Sequence, residues 1–444
     1  MNRRRDNQPS PASERPFRVL AFRDFRLLWT AEFLSQIGTQ VQRVAVAWQV
    51  FEMTRDPFQL GLLGLARFIP LLVFGLVGGV IADRYERRRT LMLAQTALMT
   101  MSGMFAALTI TGQITLLWIY ALTAISTLFG AIANPTRQAL IPTLVPTAVM
   151  PAAMTMGVLA FQTAGMVGPA FGGLLIAAAG VPFAYALDAA TFGLVGMVVV
   201  LLHARPARPA RVVSGIAALG EGLAFLRAMP ILLGTMALDF LANFFGAGTS
   251  LMPIFAAEIL GGGPSTLGLL LAAPAVGAVL AATFLASRSW LPRPGFGILA
   301  AIAVYGFCII GFALSTNLLL SLAFLFASGA ADSLSVTLRH TLRNLLTPDQ
   351  LRGRVSAAHS TFAAGGPQLG EFEAGVVASL TGAPAAVALG GLGTLLSVAI
   401  IANRVPAIAR LRWPVSGVEK DASETELAGS RRAVDIDETG TGSI

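Results

Sequence analysis

Gly78-Gly79-Val80-Ile81-Ala82-Asp83-Arg84-Tyr85-Glu86-Arg87-Arg88-Arg89 decides how this chain is read, because it lies between two long apolar runs. The run from Phe58 to Ala82 stops at Asp83, four arginines follow within six residues, and Leu91 opens the next apolar stretch. In a soluble protein this would be an ordinary basic loop. Between runs of membrane length it is a short cationic turn, which the bias of Lys and Arg towards cytoplasmic loops holds on the inner side. Its glycines let the end of the preceding helix press closely on a neighbour.

The rest of the composition agrees. Apolar residues make up 55% of the chain, charged residues only 12%, and mean hydropathy is +0.72, the balance of a protein that crosses the membrane many times. At ~20 residues per span there is room for about twelve helices and no folded soluble domain. The net charge of +8 is not a nucleic-acid footprint, since the basic residues sit between spans, so no nucleic-acid partner is expected. The sole lysine is Lys420, which excludes the Walker A lysine of an ATP-driven pump within this chain. There is no G-x-S-x-G, no H-E-x-x-H and no clustered set of metal ligands, so neither an enzyme nor a cofactor is expected. The lone Cys308 lies in an apolar run and can form no internal disulfide. The arginine-rich first two dozen residues lack an apolar core with a cleavage site behind it, which predicts a cytoplasmic tail.

Apolar runs predict helices at roughly 27–52, 57–82, 90–111, 114–135, 148–178, 181–203, 230–257, 266–286, 296–315, 317–339, 355–379 and 384–404. With both termini inside, Arg55 is the one arginine on an outer turn, and nearly all the others fall on inner turns and tails. The expected organisation is a cytoplasmic tail (1–23), a six-helix bundle (24–203), an inner linker (204–229), a second bundle (230–405) and a disordered tail (406–444). Within the linker, 214–228 reads as an amphipathic piece at the inner interface.

The halves are related. Arg137 and Pro146 after the fourth helix recur as Arg339 and Pro348 after the tenth, and at the same offset of 202 Gly168 matches Gly370 and Gly173 matches Gly375. Ala82-Asp83-Arg84 is echoed by Ala286-Ser287-Arg288. The fold class expected is therefore all-α: twelve transmembrane helices in two six-helix bundles related by a parallel repeat. Transporters built this way bind substrate between the halves near the midplane.

Gly79-x-x-x-Asp83-Arg84-x-x-Arg87-Arg88 resembles the loop 2–3 signature of the major facilitator superfamily, G-x-x-x-D-R-x-G-R-R, with Glu86 where that pattern has glycine. Gly168-Pro169-Ala170-Phe171-Gly172-Gly173 resembles its antiporter-associated motif, G-x-x-x-G-P-x-x-G-G, with Ala164 at the first glycine. From Phe22 to about Val405 the chain is similar to the branch that includes the enterobactin exporter. These segments carry the resemblance, together with Asn134-Pro135-Thr136-Arg137, Thr347-Pro348 and Gly353-Arg354-Val355. It implies the major facilitator fold, a gating role for Gly79, Asp83, Arg84, Arg87 and Arg88, close packing at Gly168, Pro169, Gly172 and Gly173, and export of a small molecule.

Charges inside spans are expensive and rarely idle. Glu32, Gln36, Thr39 and Arg43 step along one face of the first helix, a stripe that should face a wet cavity or hold helices together by salt bridges. Arg43 and Arg67 both fall ~15 Å below the outer surface and repel unless an anion stands near. Asp239, sharing a face with Thr235 and Asn243, is the carboxylate expected to neutralise them, in exchange with an anionic or polyhydroxy-aromatic substrate. Asp332 is expected to pair with Arg339, and Asp188 to be structural. Glu371 and Glu373 are ~200° apart on the eleventh helix, so only one faces the cavity. His203, His340 and His359 read as scattered.

These residues point to a monomeric, multi-pass protein of the bacterial inner membrane that exports a small siderophore-like or drug-like solute in exchange for protons. Glu32, Asp239, Glu371 and Glu373 are the candidate proton carriers. Each 100 mV supplies about 2.3 kcal/mol per charge, and each pH unit ~1.4 kcal/mol. The alternatives are proton-driven import, lipid flipping, or a membrane sensor or enzyme.

Overall fold

The computed structural model describes residues 16–84, 86–203, 224–286, 293–348 and 351–411. The tail 1–15, the linker 204–223 and the tail 412–444 lie outside the described residues, and with them most of the expected interfacial and disordered segments.

Twelve long helices follow one another among the described residues. They are α1 (Arg23–Thr54), α2 (Pro57–Arg84), α3 (Arg87–Ile110), α4 (Leu116–Leu144), α5 (Met150–Ala179), α6 (Val181–Leu201), α7 (Pro230–Phe245), α8 (Pro264–Ala286), α9 (Pro294–Leu314), α10 (Leu318–Leu346), α11 (Arg352–Thr381) and α12 (Ala383–Arg404). After Phe245, α7 is carried on by a 3-10 turn, Gly248–Leu251, and a wide π turn, Phe255–Ile259. Ten of these spans are long and apolar enough to cross a membrane. The two that fall short, α1 and α11, are the ones that carry Glu32, Arg43, Gln368 and Glu371.

Local signals set several ends. Prolines occupy the first turn of α5, α6, α7, α9 and α12, where the missing N–H costs nothing. The side chains of Thr115 and Asn317 cap α4 and α10 by accepting from the N–H groups of Trp118 and Leu320. Gly180 and Gly382, again 202 residues apart, end α5 and α11 with φ of 89° and 87°. Each stands two residues before the proline that starts the next helix.

The packing repeats helix for helix. In the first bundle α3 packs on α6, α2 on α4, α1 on α5 and α6, and α3 on α4; in the second, α9 packs on α12, α8 on α10, α7 on α11 and α12, and α9 on α10. The bundles meet through α2 against α11 and α5 against α8. Both seams are made of glycine: a Cβ on Gly375 would stand 2.5 Å from the Cα of Gly61, and one on Gly173 would stand 2.9 Å from the Cα of Gly268. Only backbone fits there.

The buried apolar residues divide unequally. At the end where α1 turns into α2, one continuous cluster joins Trp48, Phe51 and Leu60 of the first bundle to Leu251, Phe255 and Val387 of the second. At the opposite end each bundle keeps its own cluster, one around Phe25, Leu91 and Val199 and the other around Leu232, Leu338 and Ile408. Among the described residues, a buried apolar cluster joins the halves at one end only.

Two helices run longer than the apolar pattern predicts. Residues 136–144 and 340–346 were expected as turn and are helix. Thr136, Leu140 and Leu144 continue a buried stripe at intervals of four, as Leu338, Leu342 and Leu346 do in α10. Their burial carries α4 through Pro135 and Pro142. Arg137 therefore belongs to a helix, not to an inner turn.

Candidate substrate cavity and gates

A cavity of about 380 Å³ lies in the first bundle, lined from α1 by Glu32, Gln36 and Arg43, from α2 by Arg67, from α4 by Arg137, and from the second bundle by Gln368. The polar stripe of α1 faces it, so Gln36 and Thr39 line the same space.

Three arginine–carboxylate pairs organise the charge. Glu32 of α1, with a side chain 10% exposed, receives Arg137 of α4 at 2.6 Å, and Arg137 also donates to Asn134 at 2.9 Å. Asp239 of α7 receives Arg339 of α10 at 2.8 Å, with both side chains under 10% exposed. This is the same pair one repeat later. Across the halves, Arg67 of α2 reaches Glu371 of α11 at 3.2 Å. The Thr249 hydroxyl donates to Glu371 Oε1 at 3.1 Å, and that of Ser250 to the Glu371 carbonyl at 3.2 Å. Thr249 and Ser250 sit on the 3-10 turn where α7 loses its regular helix. Among the described residues, Arg67–Glu371 is the one ion pair between the bundles.

One expectation changes and one open choice closes. Asp239 does not neutralise Arg43 and Arg67; it is taken by Arg339, with Asn243 donating to it at 2.9 Å and His359 3.9 Å away. Residue depth alone suggested the wrong partner, because Asp239 faces α10 within its own bundle. Glu371 is the carboxylate at Arg67, whereas Glu373 is half-buried with no ion pair among the described residues. Asp332 reaches Arg339 at 3.8 Å, a longer second contact. His340 and His359 are not scattered: their rings meet edge to face at 5.7 Å. Asp188, wholly buried, accepts from the Ser102 hydroxyl at 2.6 Å, and Ser102 accepts from Gln42 at 2.9 Å, so α6, α3 and α1 are joined.

The side chains of Gly79, Asp83 and Arg84 lie outside the described residues. Beyond them, Arg87 donates to the Ala139 carbonyl at 2.9 Å and Arg88 to that of Val200 at 2.5 Å, which ties the turn to α4 and α6. Glu86 caps α3 with φ of −62°, ordinary extended backbone that asks for no glycine, and its carboxylate meets Arg89 at 2.7 Å. In the second motif, Gly168 and Gly172 let α1 approach at Gln40 and Val41, while Gly173 and the Pro169 carbonyl face Gly268 of the other bundle.

Arg137 and Arg339 were missed as site residues, although their recurrence at an offset of 202 was the signal that could have found them.

The chain matches the profile of a family described as transmembrane secretion effector over residues 14–429. It is 28% identical over 398 residues to the enterobactin exporter EntS of Citrobacter koseri, covering 88% of this chain and 94% of that one. The corresponding exporter of Shigella boydii is 28% identical over 381 residues, covering 84% and 89%. Among solved structures, a bacterial homologue of the human lysosomal transporter Spinster superposes with a TM-score of 0.67 at 17% identity, over 90% of this chain and 98% of that one. A peptide transporter superposes with a TM-score of 0.70 at 12% identity, over 90% and 100%. The repeated bundles, the glycine seams and this match together make the chain a multi-pass membrane transporter of the major facilitator superfamily, a member of its transmembrane secretion effector family.

Proposed function

We propose that this chain is a proton-coupled exporter of a small organic solute in the bacterial inner membrane, working as a monomer by rocking of residues 24–203 against 230–405. The observation that carries this reading is a charged cavity in the first bundle, closed on one side by Gln368 of the second, in a protein whose halves share a described apolar core at one end only. The bias of arginine towards one side puts both termini in the cytoplasm, so the sealed end is the outer one. Export requires that seal to open and the inner end to close. The glycine seams act as pivots, and Arg67–Glu371 holds the outer gate.

Protons enter through the carboxylates that arginine now holds. A proton arriving at Glu32, Asp239 or Glu371 cancels the charge that keeps its arginine in place, so each pair is a latch that protonation releases. Asp83 serves the inner gate in the opposite phase, with Arg87 and Arg88 anchoring its turn.

The test is expression in a host stripped of its own efflux pumps, challenged with a panel of siderophores, antibiotics and dyes. At least one compound should accumulate less, a protonophore should abolish the difference, and Asp83→Asn should fail to restore it. Higher accumulation in the expressing cells would overturn export, and insensitivity to the protonophore would overturn coupling.

A further inference from the structure

Four charged side chains line the cavity, three arginines and one glutamate. Arg137 is held by Glu32, and Arg67 by Glu371 from the other bundle. Arg43 has no hydrogen bond or ion pair among the described residues, and it is exposed to the cavity in mid-helix. It lies within electrostatic reach of both Arg67 and Glu371. A guanidinium so deep in a membrane protein is costly unless something anionic answers it, and such groups mark the paths of substrates.

The surrounding polar atoms narrow the chemistry. Gln36, Gln95, Gln368, Thr123 and Ser126 line the cavity, and their side-chain oxygens are buried with no protein partner among the described residues. An amide oxygen only accepts, so these glutamines, turned by a rotamer towards the space, suit hydroxyl or N–H groups on a ligand. Phe105, Phe161 and Phe192 give the same space apolar walls.

We propose that the solute is an organic acid bearing donor groups and an apolar part, its acid group held by Arg43. This rests on the exporter reading and deepens it, for the same contact supplies the trigger. An acid group seated at Arg43 competes with Glu371 for Arg67, and loosens the one described ion pair between the bundles. The empty carrier keeps Arg67 on Glu371 and its outer end shut; the loaded carrier offers Arg67 a second anion. Charge-assisted contacts of this kind separate an acid from its neutral analogue by at least about tenfold in affinity.

The test uses the purified full chain in phosphatidylcholine nanodiscs and calorimetric titration with naphthalene-2-carboxylate and naphthalene-2-carboxamide, nearly the same shape but differing in charge. The wild type should bind the acid at least about tenfold more tightly than the amide. Arg43→Gln should lose that preference, and Arg43→Lys should keep part of it. Glu371→Gln, which removes the competitor, should tighten the acid several-fold and leave the amide unchanged, an effect that a purely structural Arg43 would not produce. Equal binding of acid and amide, a preference that survives Arg43→Gln, or no acid binding at millimolar concentration each overturns the proposal. Adding phosphatidylglycerol separates the sources of an anion: if it abolishes acid binding, a lipid headgroup is the occupant and the soluble acid is ruled out. None of these readouts needs transport, so acid preference without export would leave the site standing and refute only the exporter reading.

Discussion

Leucine in place of Gly375 is expected to hold the protein open at its sealed end and to cut transport to background, while the chain still folds and inserts. The Cβ alone would stand 2.5 Å from the Gly61 Cα and 2.8 Å from the Pro57 carbonyl, and backbone cannot swing aside as a side chain can. Overpacking at such a contact costs about 3 kcal/mol, which depletes the sealed state by roughly a hundredfold. Each bundle keeps its own apolar core away from the seam, so the penalty falls on the meeting of the halves, not on the halves themselves. Gly173→Leu should act alike, because its Cβ would meet Gly268 across the other seam. Gly157→Leu is the control on the same helix, since a Cβ there meets nothing within 4 Å. The measurement is labelling by an impermeant maleimide of Leu63→Cys, a sealing-cluster position only 2% exposed, in a Cys308→Ser background. Adding Gly375→Leu should raise labelling from outside many-fold, and adding Gly157→Leu should not. Equal labelling in all three would mean that the seam is not what closes the sealed end.

Much of this was legible in the residues themselves. Twelve spans, their order and their repeat follow from apolar run length and from Gly168, Gly173 and Arg137 recurring at one offset. The same offset proves to hold for Gly180 and Gly382, whose positive φ makes the two turns alike. What the residues did not yield was partnership. Gly173 and Gly375 could be matched to each other, but Gly268 and Gly61, the surfaces they press on, are set by the packing of distant helices. Asp239 was placed beside Arg43 and Arg67 by depth, yet a helix at the right depth has many faces, and this one turns to α10. The choice between Glu371 and Glu373 depended on which face of α11 meets α2, a fact no single helix contains. Polar side chains near the ends of α4 and α10 looked like turn because proline and arginine usually end a span. There the helix continues because Leu140 and Leu144, and in α10 Leu342 and Leu346, remain buried.

The repeated pairs should not be equally replaceable, and the difference gives the last test. Asp239→Asn removes the 2.8 Å partner of an arginine only 7% exposed, leaving Asp332 at 3.8 Å as the nearest carboxylate among the described residues. Removing one member of a buried pair typically costs about 3–5 kcal/mol, because the stranded charge has no water to turn to. Glu32→Gln strands Arg137 far less. That side chain is 23% exposed, lies at the cavity, and keeps its hydrogen bond to Asn134. Its loss should cost about 1 kcal/mol, in the range of a partly solvated pair. Thermal unfolding of the purified proteins should therefore show a large downward shift for Asp239→Asn and a small one for Glu32→Gln. Asp239→Leu combined with Arg339→Met should recover most of the loss, since apolar replacement of both members of a buried pair is often neutral. If the double variant regains stability but not transport, the pair in the second bundle is kept for its response to protons. If it regains both, its role is packing, and the proposed coupling is left to Glu32 and Glu371.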